Sequence, residues 1–376
     1  MHPTSFIPKQ KTLMGPGPSD VPSRVLQAMA RPTLGHLDPD FVGFMNDVQG
    51  LLRSTYMTSN EVCFPISAPG SAGMEACFVN LVEPGEEVII CENGVFGTRM
   101  QSIVDRIGAK PIVVKDEWGK AITPAKLEDA LKKHPNAKIV AFVHAETSTG
   151  ALSDAQTLAQ IARQYDCLSI VDTVTSLGGC PLKVDEWGLD AVYSGSQKCL
   201  SAPPGLSPIT FSDRAIEKLK SRKNPVLSWF LDFNLILNYW DDKETKRSYH
   251  HTAPVNALYG LHESLVMLHE EGLENSWERH KKMHEELKAG LLNLGFEFLV
   301  TEGDRLPQLN AVRLPAGIDD GLLRSFLLEN YGLEVGAGLG PLAGKVLRIG
   351  LMGYGANRKN IAVLLRALES FLAKQS

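Results

Sequence analysis

Ile170-Val-Asp-Thr-Val-Thr-Ser176 and Tyr193-Ser-Gly-Ser-Gln-Lys-Cys199, whose lysine lies 26 residues beyond the aspartate of the first, decide how this chain is read. Each carries on from a short apolar run, Leu168-Ser-Ile-Val171 and Ala191-Val-Tyr193, and each presents a charged side chain after it, Asp172 and Lys198. Nearly continuous apolar runs are what strands buried on both faces require. Working outward, Ile139-Val-Ala-Phe-Val143, Pro111-Ile-Val-Val114 and Val88-Ile-Ile-Cys91 have the same character. Helical patterns lie between such runs, as where Met74, Cys77, Phe78 and Leu81 share one face. This alternation predicts βαβ crossovers and an α/β fold whose mainly parallel sheet is covered by helices on both faces. Thr123-Pro124 predicts a capped helix start, with Leu127, Ala130 and Leu131 following at helical spacing.

The pattern changes near residue 270. A long amphipathic helix from about Glu274, with Trp277, Lys281, His284, Leu287, Leu291 and Leu294, leads to Phe296-Glu-Phe-Leu-Val300, Leu309-Asn-Ala-Val-Arg-Leu314 and Val346-Leu-Arg-Ile349. The expected division is an N-terminal arm over 1–12, a large domain over 13–270 and a smaller α+β domain over 271–376. The arm is polar and dotted with proline, so it needs another surface to become ordered. No internal repeat or low-complexity tract interrupts the chain.

Composition narrows the function classes. With 376 residues, 44% of them hydrophobic, the chain has material for a large core, and a small stapled fold is excluded. The net charge of -5 is mild and the charges are interspersed, which argues against nucleic-acid or membrane-surface partners. Small solutes are the expected ligands. The six cysteines, Cys63, Cys77, Cys91, Cys167, Cys180 and Cys199, form no Cys-x-x-Cys pair and read as reduced core residues. No apolar stretch resembles a signal peptide or a membrane span, and Lys374-Gln-Ser376 is not a Ser-Lys-Leu peroxisomal address. A cytoplasmic location is expected.

Ligands of open α/β sheets gather at the carboxyl ends of the strands, where Thr147, Asp172 and Lys198 fall. Asp172 alone would read as a helix cap or an ion-pair partner, and Lys198 alone as a solvated charge. Together they point to pyridoxal 5'-phosphate. The lysine forms a Schiff base with the aldehyde, and the carboxylate keeps the pyridine nitrogen protonated, with its own pKa held low by that cation. Ser67-Ala-Pro-Gly-Ser-Ala-Gly73 opens the Met74 helix with small residues, so Gly70, Ser71 and Ala72 are candidates to cradle the phosphate, with Gln197 as a side-chain donor.

Phe96, in Glu92-Asn-Gly-Val-Phe-Gly-Thr-Arg99, is a candidate ring-stacking aromatic, although a core phenylalanine fits the same position. Arg348, amid the apolar Gly344-Lys-Val-Leu-Arg-Ile-Gly350, suits a substrate carboxylate or a structural ion pair. Tyr249-His-His-Thr-Ala-Pro254 reads as a hydroxyl-bearing phosphate clamp through Tyr249 and Thr252. A metal reading of His250 and His251 lacks a third ligand at suitable spacing, so no metal is expected. Gly15-Pro-Gly-Pro-Ser19 reads as a rigid entry turn whose prolines only direct the chain.

Assembled, these residues resemble the class V aminotransferases of fold-type I, within them the alanine–glyoxylate and serine–pyruvate aminotransferase family. The resemblance runs from Leu13-Met-Gly-Pro-Gly-Pro-Ser19 through Ser194-Gly-Ser-Gln-Lys-Cys-Leu-Ser-Ala-Pro-Pro-Gly205 and Ser248-Tyr-His-His-Thr252 to Gly338-Leu-Gly-Pro341 and Gly344–Gly350. It implies a homodimer with active sites at the interface, Lys198 as the Schiff-base lysine, Asp172 at the pyridine nitrogen and Thr147 near the ring hydroxyl. It also implies that Tyr249 and Thr252 reach the phosphate held by the partner subunit, and that Arg348 binds the substrate carboxylate. Two positions depart from the family: Phe96 stands where tryptophan is frequent, and Ala68-Pro-Gly-Ser-Ala-Gly73 replaces a Ser-Gly-Ser-Gly-His run.

The expected reaction is a ping-pong transamination in which the Lys198 amine moves the substrate α-proton. A single arginine fork favours a small donor, alanine or serine, with glyoxylate as acceptor, giving glycine and pyruvate or hydroxypyruvate. Alternatives are ureidoglycine–glyoxylate transamination and a non-catalytic cofactor-binding protein. Tyr249 and His36 do not look like the amide-bearing residues that would read a ureido group. Cysteine desulfuration needs a mobile thiol late in the chain, and no cysteine follows Cys199.

Overall fold

The apolar runs of the large domain do become strands; the inner ones bury nearly every side chain because helices cover both faces, while the run at Pro111–Val114, on the sheet edge, buries only Val114. The computed structural model describes residues 4–240 and 247–374. Its main sheet has seven strands, in the spatial order Val62–Ile66, Ser207–Phe211, Ala191–Tyr193, Leu168–Asp172, Ile139–Val143, Glu87–Glu92 and Lys110–Lys115. The last five in that order pair in parallel, with Val143 opposite Asp172 and Asp172 opposite Tyr193. That register brings the carboxyl ends of three neighbouring strands level with one another.

Ser207–Phe211 is antiparallel to both of its neighbours, Val62–Ile66 and Ala191–Tyr193. Neither Val62–Ile66 nor Ser207–Phe211 is announced by the sequence, because each carries a proline, which removes a ladder donor and argues against an interior strand. The sheet tolerates them by placing Pro65 directly opposite Pro208, so both missing donors fall at one register position.

Helix boundaries follow local chemistry with one correction. The helix Pro124–Lys133 begins at its proline, but Thr123 does not cap it. Its hydroxyl donates to Asp116 Oδ1 at 2.7 Å and its N–H to Oδ2 at 2.9 Å, a tie to the preceding loop that competes with capping. Gly70 itself starts the helix Gly70–Leu81, with Pro69 at the cap position.

Beyond residue 270 the long helix spans Leu273–Asn293, and a four-stranded antiparallel sheet includes Leu309–Arg313 and Val346–Gly350. The expected strand 296–300 shortens to Glu297–Phe298, paired with Arg313 and Val312. One hydrophobic cluster gathers buried residues from Phe41 to Leu268; a second holds Met283 to Phe371 and also Met14. Met14 is drawn there because Thr12–Leu13 pairs in parallel with Leu333–Glu334. Before Thr12 the chain has no regular structure and leaves Phe6 and Ile7 exposed, while residues 1–3 of the expected arm and 375–376 of the C-terminal segment lie outside the described residues.

Candidate active site

Lys198 lies in the turn after Ala191–Tyr193, and its side chain is 7% exposed. Burial pushes its amine down to about 8, with Arg348 adding to that effect and Cys199, Asp172 and Glu146 opposing it. The Gly15–Ser19 turn does more than direct the chain, because it closes over this lysine. Pro16 O accepts from Nζ, and a Cβ at Gly17 would lie 2.5 to 2.8 Å from Nζ, Cδ and Cε. With φ at +106°, Gly17 also holds a conformation that other residues rarely adopt. Ser19 fastens the turn, donating its N–H to Gln197 O at 2.9 Å and its hydroxyl to Lys198 O at 2.7 Å.

Asp172 ends its strand and is buried. Its Oδ1 accepts the Val174 N–H at 2.9 Å, and Oδ2 accepts the Tyr193 hydroxyl at 2.7 Å. The low pKa expected for it depends on a cationic partner. Without one, burial outweighs the Val174 and Tyr193 hydrogen bonds and the charges of Lys198 and Arg99, and the carboxyl is pushed up to about 6. A second buried carboxyl, Glu146, which no sequence motif marks, is driven up to about 7 by burial, with Asp172 contributing.

Arg348, in Val346–Gly350, donates from Nε to Ala337 O at 2.6 Å and from Nη1 to Thr147 O at 3.0 Å. Among the described residues no carboxylate forms an ion pair with it, which leaves its charge for a ligand. Glu146 acts on it only through space. Thr147 is thus joined to Arg348 through its backbone, and its side chain is buried beside the site.

Phe96 opens the helix Val95–Ile107 and is half-buried. Arg99, one turn on, stacks its guanidinium over the Phe96 ring at 4.9 Å and donates to Ser71 Oγ at 3.0 Å. The stacking candidate and the head of the helix Gly70–Leu81 are thereby joined, by a residue the sequence reading quoted but gave no role. Gly70 has its backbone against the lysine loop, for a Cβ there would lie 3.2 Å from Val174 Cγ2 and 3.4 Å from Ser194 O. Ala72 already gives its N–H to Pro69 O at 2.7 Å. Gln197 Oε1 is buried without a partner.

Tyr249 and Thr252 stand apart. Tyr249 is 61% exposed, its hydroxyl 3.4 Å from Thr252 Oγ1 and its ring 5.2 Å from that of His36. Behind it His250 Nδ1 faces His251 Nδ1 at 2.8 Å, and His251 Nε2 meets Ser67 Oγ at 2.7 Å. Among the described residues no cluster suited to a metal ion occurs. Nor is any helix among them long and apolar enough to cross a membrane.

A buried amine lowered to about 8, a buried carboxyl at the end of the neighbouring strand and a buried arginine with no carboxylate partner among the described residues thus lie in segments that touch one another. The profile of the family Aminotransferase class-V matches residues 13–354, and the chain belongs to that family. An alanine–glyoxylate aminotransferase of Callithrix jacchus is 39% identical, across 96% of this chain and 87% of its own. Among solved structures, an alanine–glyoxylate aminotransferase from Nostoc sp. superposes with a TM-score of 0.96 at 43% identity, over 99% of this chain and 98% of that one. The ureidoglycine–glyoxylate aminotransferase of Bacillus subtilis also gives 0.96, at 37% identity over 99% and 95%. The fold is therefore fold-type I, and the protein is a pyridoxal phosphate-dependent aminotransferase.

Proposed function

We propose that the protein transfers an amino group from alanine or serine to glyoxylate, yielding glycine and pyruvate or hydroxypyruvate, with Lys198 as the residue that bonds the cofactor aldehyde. The observation that carries this reading is the pairing of the depressed Lys198 amine with a buried Arg348 that has no carboxylate partner among the described residues. When bound, pyridoxal phosphate supplies an electron sink for the bonds at the substrate α-carbon. Arg348 grips the substrate carboxylate and so turns the α-hydrogen toward Lys198. An amine near pH 8 is basic enough to take that proton and weak enough to give it back.

Asp172 faces the pyridine nitrogen as an anion, held on its other sides by Val174 and Tyr193. Phe96 stacks on the ring, and Thr147 sits near the ring hydroxyl. Gly70, Ser71, Ala72 and Gln197 bind the phosphate together with Tyr249 and Thr252 of a second copy. An exposed apolar shelf supports that dimer: Leu227, Trp229 and Tyr249 are each at least 60% exposed, and Trp229 stacks flat on His250. The two hydrophobic clusters support a large lobe over 13–270 and a smaller one over 271–376, preceded by an arm over 1–12. Six unpaired thiols accord with the cytoplasm.

A panel of donors with glyoxylate tests the assignment. Alanine or serine turnover well above glutamate is expected, and dominant glutamate turnover would refute it. Ureidoglycine is the second reading, favoured by the likeness to the Bacillus subtilis enzyme. A ureidoglycine rate far above those of alanine and serine would select it.

A further inference from the structure

The start of the helix Val95–Ile107 is held by a group from elsewhere in the chain. Gly94, at the cap position, supplies no side chain, yet the first N–H groups of a helix need acceptors. Ser148 Oγ accepts the Val95 N–H at 3.0 Å and donates to Glu146 Oε1 at 2.6 Å. The Ser148 N–H meets the same oxygen at 3.0 Å, and the Phe96 N–H meets Oε2 at 3.3 Å. Space is tight, since a Cβ at Gly94 would strike the Glu146 carboxyl and the Ser148 hydroxyl.

Every partner of the Glu146 carboxyl is a donor, so the network fits the ionised form. A proton on Oε2 would leave the Phe96 N–H a much weaker acceptor. A proton on Oε1 would turn the Ser148 hydroxyl from donor to acceptor. The helix dipole also favours an anion at this end.

We propose that Glu146 is a positioning residue whose ionised carboxylate, acting directly and through Ser148, sets the Phe96 ring against the cofactor, so that the grip tightens when Glu146 is charged and slackens when it takes up a proton. The inference rests on Phe96 being the stacking partner. Burial holds Glu146 near 7, where such a change falls within the working pH range. Other charged groups bear on it. Asp172 raises it, while its own field reaches Lys198, Arg348 and Tyr193. Arg99 lies on the same helix, over the Phe96 ring. Glu92, on the strand leading into the turn, is engaged by Lys115 at 3.6 Å, and His144 is held neutral by burial, down to about 4.

The test uses the full chain, stripped of cofactor and titrated with pyridoxal phosphate between pH 8 and pH 6, reading affinity by protein fluorescence. Amide exchange at Val95 and Phe96 is followed in the same cofactor-free samples, relative to intrinsic rates. Glu146→Gln keeps an acceptor oxygen but cannot titrate, so the wild-type affinity should fall about tenfold more than the variant's on acidification. Protection of the two amides should fall with pH in the wild type and stay level in Glu146→Gln. Ser148→Ala should weaken binding about fivefold at pH 8 through one lost hydrogen bond while retaining the pH dependence.

Superposed wild-type and Glu146→Gln profiles in both measurements would overturn the inference. Failure of the site reading is distinguishable, because borohydride would then leave Lys198 of the wild type unlabelled by the cofactor.

Discussion

Two regions carry the proposed cofactor contacts, and they are built in opposite ways. At the strand ends, Asp172, Glu146, Thr147, Lys198 and Arg348 are at least 93% buried, and their polar atoms engage each other's loops. On the shelf formed by Leu227, Trp229, Phe230, Tyr249 and Thr252, large side chains face outward, and among the described residues the Tyr249 hydroxyl finds only Thr252 at 3.4 Å. One region is finished within a single chain. The other, on the proposed dimer reading, is a half-site whose residues acquire purpose against a second copy of the chain. Removing Lys198, Asp172 or Arg348 from the interior should therefore damage turnover, whereas removing a shelf group should damage only cofactor retention.

The largest effect is expected from Lys198→Ala, which would remove both the proposed covalent anchor and the proposed proton carrier. Turnover of alanine with glyoxylate should drop about 10⁴-fold. Turnover within tenfold of the wild type would move the chemistry out of the interior altogether. The same amine sets a pH dependence. Only the unprotonated form attacks an aldehyde, so cofactor capture by the stripped protein should speed up as pH rises through about 8 and then level off. A stopped-flow record of imine absorbance reads this directly, and a rise that continues toward 10.5 would mean that burial does not depress the amine.

Next in size is Asp172→Asn, which keeps the Val174 contact but cannot serve as an anion to the pyridine nitrogen. A loss of about 10²- to 10³-fold in kcat is expected, with a smaller change in cofactor affinity. Arg348→Gln should act differently. Losing a charge-assisted contact to the substrate carboxylate should raise the amino-acid KM about 10- to 100-fold. If Asp172→Asn altered mainly KM and Arg348→Gln mainly kcat, the two interior roles would be reversed.

The contrast between the regions also explains what the sequence made legible. Strands such as Ile139–Val143 are apolar throughout because both faces are buried, and the Asp172 and Lys198 positions follow from where those runs stop. Val62–Ile66 and Ser207–Phe211 were hidden by Pro65 and Pro208, whose cost is offset by a pairing visible only in three dimensions. Glu146 adjoins Thr147, yet its importance lies in the turn at Gly94, some 50 residues away in sequence. Gly17 was hidden in the same way, since its contact with Lys198 joins segments about 180 residues apart. The shelf is legible least. Among the described residues the Tyr249 hydroxyl meets the Thr252 hydroxyl and no charged group, and only the family resemblance gives the pair a phosphate to bind.

The smallest effect, and the sharpest test of the comparison, comes from Tyr249→Phe. One hydroxyl contact to phosphate is lost, so pyridoxal phosphate should bind about 5- to 10-fold more weakly while kcat at saturating cofactor stays near the wild-type value. Hybrid dimers then decide where that hydroxyl acts. Suppose one subunit carries Lys198→Ala and its partner carries Tyr249→Phe. If Tyr249 serves the neighbouring site, both lesions fall in one site and the other is intact, so the active site of the hybrid binds cofactor with wild-type affinity. If Tyr249 serves its own subunit, the only active site carries Tyr249→Phe and binds weakly. Measuring the cofactor dependence of the purified hybrid separates the two cases, because each predicts a single class of active site with a different midpoint. A weakened midpoint would show that the shelf completes its own chain's site and that the distinction between finished and unfinished regions does not hold.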